Sequence, residues 1–319
     1  MRHRIVDARG SRIHLVEEGD GPVVLLVHGF PESWYSWRHQ IPAIAEAGFK
    51  AVAIDVRGYG RSSAPVEVEA YGMLSHVSDN LGVVEGIGAN DAIVVGHDWG
   101  SPIAANSALL RPDVFRAVAL LSVPYSPPGT RRPTDAFAQM VGDDEEFYIS
   151  YFQRPGRAEA EAEQDVRSWL LGFYVGASGE ATRAPDGSTI ATVRAGGTLR
   201  DRFSPSVDLP RWLSAEDLDF YTEQFEYSGF RGPLNRYRNV DRDWHDLQVW
   251  RGRPITVPSL FIAGEKDGPA VWGARAIERH SVNLPGLRGS HTLAGCGHWV
   301  QQERAEVVTA LLVDWLKGL

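Results

Sequence analysis

The stretch Gly96-His97-Asp98-Trp99-Gly100 places one acidic side chain between two glycines, directly after an apolar run. This is the spacing of a nucleophile exposed on a sharp strand-to-helix turn, where flanking glycines permit close approach of the backbone. A carboxylate in that position attacks a saturated carbon and becomes an alkyl ester, which water must then hydrolyse. The motif therefore predicts a two-step reaction with Asp98 as the nucleophile.

The hydrolytic step needs a base for the water and a carboxylate that orients this base. Asp267 closes the segment "LFIAGEKD", and His298 follows near the end of the chain in "AGCGHW". The chain order of nucleophile, acid and histidine is an established hydrolase order. We expect the backbone N–H groups of Trp99 and of Phe30, in "HGFP", to stabilise the oxyanion of the hydrolytic step.

Each of these residues also has a structural interpretation. Asp98 alone fits a turn aspartate bonded to its own backbone, and Asp267 fits a helix cap. Ser101, three residues beyond Asp98, leaves direct serine chemistry open.

Residues that surround the turn are candidates for contact with the substrate. We assign His28, Pro31 and Trp99 to this role. A histidine beside a turn is more often a hydrogen-bonded structural residue, and this alternative applies to both His28 and His97.

The composition excludes several functional classes. The 319 residues carry a net charge of −9, which argues against a nucleic-acid partner, because such proteins normally present a basic surface. One cysteine excludes an internal disulfide, and the ten histidines show no metal-binding spacing, so we expect neither metal nor cofactor. Without an apolar run long enough for a leader or a membrane span, we expect a cytoplasmic protein with no membrane insertion.

Strand-like and helix-like patterns alternate along the chain, which predicts a mostly parallel sheet with helices on both faces. Helical patterns cover Trp34–Ala47, Leu74–Ile87 and Gly100–Leu110. The strand-like runs are "RIVDA", "IHLVEEG", "PVVLLVHG", "FKAVAIDV", "DAIVVG", "AVALLSV" and "SLFIAG".

The alternation stops for roughly 125 residues, which is too long for an ordinary connection and predicts a folded insertion. We divide the chain into a core of residues 1–126 and 254–319 and a helical cap of residues 127–253, placed over the carboxyl ends of the strands. The acidic run Glu159–Asp165 within the cap predicts a solvated helix face.

The chain resembles the soluble epoxide hydrolase family, especially its bacterial members and the hydrolase domain of the vertebrate enzyme. The resemblance rests on these motifs in this order: "HGFPESWYSWRHQIPA", "DVRGYGRSS", "VVGHDWG", "YISYFQRPG", "SGFRGPLNRYRN", "GEKD" and "GHWVQQE". It implies an α/β-hydrolase fold with a mostly parallel central sheet and an inserted helical cap. It also implies Asp98 as nucleophile, His298 as base and Asp267 as the partner of the base.

The resemblance further implies that two cap tyrosines, Tyr148 and Tyr237, hold the oxygen of an epoxide that water converts to a vicinal diol. Phenols aimed at this oxygen can protonate the alkoxide as the strained ring opens. Tyr151 is the rival of Tyr148, since residues three apart share a helix face. Arg236 stands where an aromatic residue is expected, and a charge there predicts an altered pocket mouth.

The resemblance implies a small lipophilic epoxide as the partner. The sequence leaves open whether the protein forms a homodimer through the cap. One alternative function is haloalkane dehalogenation, which shares the aspartate nucleophile but needs a donor for the departing halide. Phe30, at the position of that donor, has no side-chain N–H. The other alternative is a non-catalytic ligand-binding module with the same fold.

Overall fold

The computed structural model describes residues 1–181, 189–204 and 208–319. In these ranges, eight strands form one sheet in the order β1-β2-β4-β3-β5-β6-β9-β10, and β7 pairs with β8. β2 runs antiparallel to both of its neighbours, and the pairs from β4 to β10 are parallel. The strands are β1 Arg2–Ala8, β2 Ser11–Glu18, β3 Val23–Val27, β4 Lys50–Ile54, β5 Ala92–His97, β6 Phe115–Leu121, β7 Glu145–Phe147, β8 Thr192–Arg194, β9 Ser259–Gly264 and β10 Leu287–Leu293.

The central strands are apolar because both of their faces are covered. Along β3, Val24 and Leu26 pack into one hydrophobic cluster, whereas Leu25 and Val27 pack into another. Successive side chains of a strand point to opposite faces, so the two clusters lie on the two sides of the sheet. The prediction of a mostly parallel sheet with helices on both faces is confirmed.

The helices that the structure describes connect and cover these strands. They are α1 Gln40–Glu46, α2 Met73–Gly86, α3 Gly100–Leu110, α4 Pro133–Ala138, α5 Tyr148–Phe152, α6 Arg157–Ala162, α7 Val166–Ala177, α8 Ala215–Ser228, α9 Arg231–Tyr237, α10 Val240–Asp246, α11 Gly268–Trp272, α12 Ala274–Glu278, α13 His280–Asn283, α14 Val300–Glu303 and α15 Ala305–Lys317. Short 3₁₀ turns occur at Trp34–Trp37, Val68–Tyr71, Leu199–Arg202 and Gln248–Trp250. None of the described helices is both long and apolar enough to span a membrane.

One helix was predicted inaccurately, and one strand of the sheet, β10, was not predicted. The helix predicted over Trp34–Ala47 is a 3₁₀ turn followed by the separate helix α1. Pro42 lacks an N–H and is tolerated in the first turn of a helix, so α1 begins two residues before it. The edge strand β10 has no apolar run, because its residues alternate between exposed and half-buried positions.

The chain between β6 and β9 contains mostly short helices, together with the β7–β8 pair that the sequence did not predict. Side chains of this segment line the same cavity as Asp98. The division of the chain at 126/127 and 253/254 stays a prediction.

The acidic run Glu159–Asp165 forms the predicted solvated face only at Glu163 and Asp165, which are exposed. Glu159 and Glu161 are 8% and 6% exposed. The Glu161 carboxylate accepts hydrogen bonds from the Trp169 indole at 2.8 Å and from the Arg200 backbone N–H at 2.7 Å. Buried carboxylates are stable when donors surround them, and here the donors come from chain that folds over α6.

Candidate active site

The turn between β5 and α3 presents Asp98 in a left-handed backbone conformation, with φ of 49°. The glycines on either side are required by close contacts. A Cβ on Gly96 would lie 1.9 Å from the Gly100 carbonyl oxygen, and a Cβ on Gly100 would lie 2.0 Å from the carbonyl oxygen of Val27. The glycine spacing noticed in the sequence therefore permits a turn that no larger residue would allow.

The two carboxylate oxygens of Asp98 have different partners. Oδ1 accepts a hydrogen bond from the backbone N–H of Phe30 at 2.8 Å. Oδ2 lies 3.3 Å from Nε2 of His298. Asp98 is thus no turn aspartate bonded to its own backbone. The Phe30 N–H stays the predicted first donor to an oxyanion, and Trp99, at the start of α3, the predicted second donor.

His298 joins Asp98 to Asp267. Its Nδ1 donates to Asp267 Oδ1 at 2.8 Å, and the Ser122 hydroxyl lies 2.9 Å from the same nitrogen. Asp267 precedes α11, yet its side chain makes no capping hydrogen bond there, so the capping interpretation does not hold. The side chains of His298 and Asp267 are 7% and 0% exposed, which fixes the imidazole orientation in a dry environment.

Burial and charge act against each other in this group. Burial alone lowers the pKa of His298, but the carboxylates of Asp267 and Asp98 outweigh it and raise that pKa well above its ordinary value. Burial alone raises the pKa of Asp98, but the hydrogen bond and charge of His298 outweigh it and lower that pKa. The resting site therefore holds an ionised Asp98 beside an imidazolium.

A second buried pair lies behind the nucleophile. Nε2 of His97 donates to the backbone carbonyl of His298 at 2.8 Å, and Nδ1 lies 2.7 Å from Oε2 of Glu32. Burial raises the pKa of Glu32, but the charge and hydrogen bond of His97 outweigh it and lower that pKa, so the carboxylate is ionised. The carbonyl and the carboxylate together hold the ring of His97 in one orientation.

The base is also tied to the segment of residues 127–253. The backbone N–H of His298 donates to the Ala177 carbonyl at 2.9 Å. The Glu303 carboxylate accepts from the N–H groups of Gly179 and Gly297, both at 2.9 Å. The loop that carries the histidine is therefore bonded to the end of α7 and the chain that follows it.

Asp98 and His298 line a cavity of about 650 Å³ together with Tyr148 and Tyr237. Its other lining residues are mostly apolar, and they include Phe30, Phe173, Ile190, Ala191, Pro269, Val271 and Trp272. The rings of Tyr148 and Tyr237 lie 6.1 Å apart. Burial and the nearby Asp98 carboxylate raise the pKa of both phenols, so both are protonated donors at neutral pH.

Tyr151, the rival of Tyr148, has a structural partner. Its hydroxyl donates to the carboxylate of Glu161. Tyr148 lines the cavity, whereas Tyr151 is not part of the lining in the described ranges. The geometry therefore favours Tyr148 over Tyr151.

The three residues assigned to substrate contact do not line the described part of the cavity. His28 is fully buried, and both of its ring nitrogens contact backbone atoms, at Gly29 O and Val56 N. Pro31 follows a cis peptide bond and is buried below the cavity. Trp99 packs edge to face against Tyr237, with ring centroids 5.1 Å apart. The assignment of His28, Pro31 and Trp99 to substrate contact stays a prediction.

The sequence left Ser101 open as a nucleophile. Ser101 is buried and its hydroxyl donates to the Val123 carbonyl at 2.6 Å, so it is not available as a nucleophile.

Sequence reasoning missed Glu32, whose position one residue after the "HGFP" motif is the only signal that links it to the site. It also missed Ser122, which directly follows a buried strand and has φ of 74°.

Fold and site together define a hydrolase with an aspartate nucleophile. Residues 22–305 match the family model described as the alpha/beta hydrolase fold. Epoxide hydrolase B of Mycobacterium tuberculosis is 45% identical, over 99% of this chain and 98% of that protein. A solved epoxide hydrolase from an endophytic Streptomyces is 62% identical with a TM-score of 0.97, covering 99% of this chain and 95% of that one. Epoxide hydrolase A from Mycobacterium thermoresistibile is 44% identical with a TM-score of 0.93, covering 100% and 98%.

The chain belongs to the α/β-hydrolase superfamily and, within it, to the epoxide hydrolases. The fold expected from the resemblance is confirmed.

Proposed function

We propose that this protein hydrolyses a lipophilic epoxide to a vicinal diol through an ester on Asp98. The observation that carries the proposal is the environment of this carboxylate. Oδ1 is held by the Phe30 N–H at 2.8 Å, and Oδ2 faces both His298 and the cavity that the two phenols line.

In the first step, Oδ2 attacks a ring carbon and the carbon–oxygen bond of the epoxide breaks. Tyr148 and Tyr237 hydrogen-bond the departing oxygen, and one of them transfers its proton to the alkoxide. The product is a β-hydroxyalkyl ester of Asp98 beside a phenolate. The carbonyl oxygen of this ester is Oδ1, which already lies at the Phe30 N–H.

Before the second step, the imidazolium of His298 gives up its proton, which restores the phenol from the phenolate. Nε2 of the neutral His298 then takes a proton from water, and the hydroxide adds to Cγ of Asp98. The N–H groups of Phe30 and Trp99 stabilise the negative charge on Oδ1. Collapse breaks the Cγ–Oδ2 bond, and the alkoxide takes the proton from the imidazolium. The new carboxyl group of Asp98 passes its proton to the neutral imidazole, which restores the carboxylate–imidazolium pair, and epoxide and water have become a diol.

The timing of the base follows from its charge environment. Asp98 is one of the two carboxylates that raise the pKa of His298. When Asp98 becomes a neutral ester, that contribution disappears and the imidazolium loses its proton more easily. The first step thus prepares the base for the second.

The apolar lining supports a lipophilic substrate, because binding then removes the apolar surfaces of both the substrate and the lining from water, which lowers the free energy. Haloalkane dehalogenation is less well supported, since Phe30 provides no side-chain donor for a halide and its ring packs among aromatic rings. A cytoplasmic location and a homodimer stay predictions from the sequence.

A single turnover in heavy-oxygen water tests the mechanism. With enzyme in excess over an aryl epoxide, the first diol should carry an oxygen from Asp98 and none from solvent. A first diol that carries solvent oxygen in full would show that water attacks the epoxide directly.

Substitution of the base separates the two steps. His298→Gln should form the ester but hydrolyse it slowly, so the peptide containing Asp98 should gain the mass of the epoxide. His291→Gln, a change of the same kind at a half-buried histidine of β10, should leave turnover unchanged. Loss of diol formation in His298→Gln without an adduct would contradict the proposed division of roles.

The phenols are tested in the His298→Gln background, where ester formation is measured alone. Tyr148→Phe and Tyr237→Phe should each slow ester formation by about tenfold to a hundredfold. Tyr151→Phe is the matched control and should leave this rate unchanged. An unchanged rate in both Tyr148→Phe and Tyr237→Phe would move the acid to another group.

A further inference from the structure

Arg236 does not lie at the pocket mouth, where its charge was predicted to act. It is 2% exposed and lies beneath the site, with its guanidinium over the ring of Trp99 at 4.6 Å from the ring centroid. Adjacent residues of a helix point about 100° apart, so Tyr237 can face the cavity while Arg236 faces the core. The cation is therefore separated from the Tyr237 phenol by one indole ring.

The guanidinium is held in place by two acceptors. It donates to the backbone carbonyl of Tyr71 and to the carboxylate of Asp243. Asp243 is anchored in turn, since its other oxygen accepts from the Met73 N–H at 2.6 Å. Burial lowers the pKa of Arg236 to about 9, which leaves the side chain cationic at neutral pH.

Trp99 connects this cation with the reacting groups. Its ring packs edge to face against Tyr237, with ring centroids 5.1 Å apart. In a buried site of low dielectric, the positive charge of Arg236 over the Trp99 ring also acts on the neighbouring Tyr237. Negative charge on the Tyr237 oxygen is thereby stabilised.

We propose that Arg236 is a positioning residue for the opening of the epoxide, acting through Trp99 on the charge that develops at Tyr237. The inference rests on the proposed function. When Tyr237 protonates the alkoxide, its oxygen becomes negative, and the guanidinium behind Trp99 stabilises that state without contacting the substrate. The aromatic residue expected at this position would supply packing but no charge.

The test removes the charge and keeps the hydrogen bonds. In the double variant Arg236→Gln with Asp243→Asn, the new amides can still donate to Tyr71 and accept from Met73, and no unpaired ion is left in the interior. In the His298→Gln background, this double variant should slow formation of the ester by about tenfold, a range set by the strength of buried cation–π contacts. Quenched single turnovers with mass spectrometry of the Asp98 peptide measure the rate.

A double-mutant cycle distinguishes charge stabilisation from general loosening of the structure. With Tyr237 present, the double variant should lower the rate of ester formation at least fivefold. In the Tyr237→Phe background, the same double variant should lower this rate less than twofold. Any other pattern overturns the proposal. The matched control is Arg238→Gln with Glu159→Gln, a buried ion pair of 2.8 Å at the end of the same helix, and its effect should stay below twofold. A larger effect of this control also overturns the proposal.

The single change Asp243→Asn keeps the proposal testable even where the double variant does not fold. It removes the carboxylate of the ion pair but keeps the Arg236 guanidinium. Because less of the positive charge is then neutralised, ester formation should be as fast as in the parent or faster. If the ion pair had only a structural role, its loss would slow ester formation. A decrease of more than twofold in the rate of ester formation would therefore overturn the inference. Formation of the adduct in His298→Gln itself tests the proposed function separately.

Discussion

Replacing Glu32 by glutamine should destabilise the protein, because each carboxylate oxygen serves two donors. Oε2 accepts from the Gly29 N–H at 3.0 Å and from Nδ1 of His97 at 2.7 Å. Oε1 accepts from the side-chain amides of Gln301 at 2.9 Å and Gln302 at 3.3 Å. In either orientation, the NH₂ group of the new amide therefore faces two donors.

The number of donors that face the new amide determines how far the free energy of unfolding decreases. Loss of a charge-assisted hydrogen bond costs about 1.5–3 kcal/mol, and a buried donor left without an acceptor costs about 1–3 kcal/mol. Gln301 can relieve one conflict by turning its amide, since its Oε1 has no hydrogen-bond partner among the described residues. Gln302 cannot, since its Oε1 accepts from Arg38 and Tyr221. The expected decrease in the free energy of unfolding is about 2–5 kcal/mol.

Thermal unfolding followed by circular dichroism measures the change. For a chain of this size, the entropy of unfolding converts the expected decrease to a Tm lower by about 3–8 °C. Hydrolysis of the ester should slow more than its formation, because Gly29 precedes the Phe30 N–H that binds the oxyanion. The control is Glu85→Gln, in a surface ion pair with Arg9, which should leave Tm unchanged. A Tm of Glu32→Gln equal to that of the parent would refute the reasoning.

Two other predictions concern charge and backbone. In Asp98→Asn, the pKa of His298 should fall, because a neutral amide replaces one of the two carboxylates that favour the imidazolium; a nuclear magnetic resonance titration measures it, with intact mass verifying the amide. An unchanged pKa would show that Asp267 alone sets the charge of the base. Gly100→Ala should yield little folded protein in a solubility and circular dichroism assay, because its Cβ would lie 2.0 Å from the Val27 carbonyl oxygen. A folded variant with the Tm of the parent would show that the turn can shift.

The turn around Asp98 was predictable from the sequence because its requirements are local. Gly96 and Gly100 allow close approach within a few residues, and the preceding strand is a short apolar run. Asp267 and His298 could be found for the same reason, since each follows its own local pattern. Their contact was then inferred from the order of the residues along the chain.

The supporting residues were not predictable, because their roles depend on distant partners. Glu32 binds His97, which is 65 residues away, and Gln301, which is 269 residues away. Arg236 was expected at the pocket mouth, and Glu161 on a solvated face, because a sequence pattern does not show which part of the chain folds over a side chain. A buried charge is stable only where the fold brings its partner, and that pairing is a property of the tertiary structure.

The hydrogen bonds between the base loop and the end of α7 bear on how a substrate reaches the nucleophile. A hinged lid would have to separate His298 from Ala177 and Glu303 from Gly179 in every cycle, and so disturb the base each time it opened. We therefore expect the end of α7 to stay in place while a substrate enters. Val271 and Trp272 line the cavity and are 59% and 44% exposed, so we expect a substrate to enter from their side.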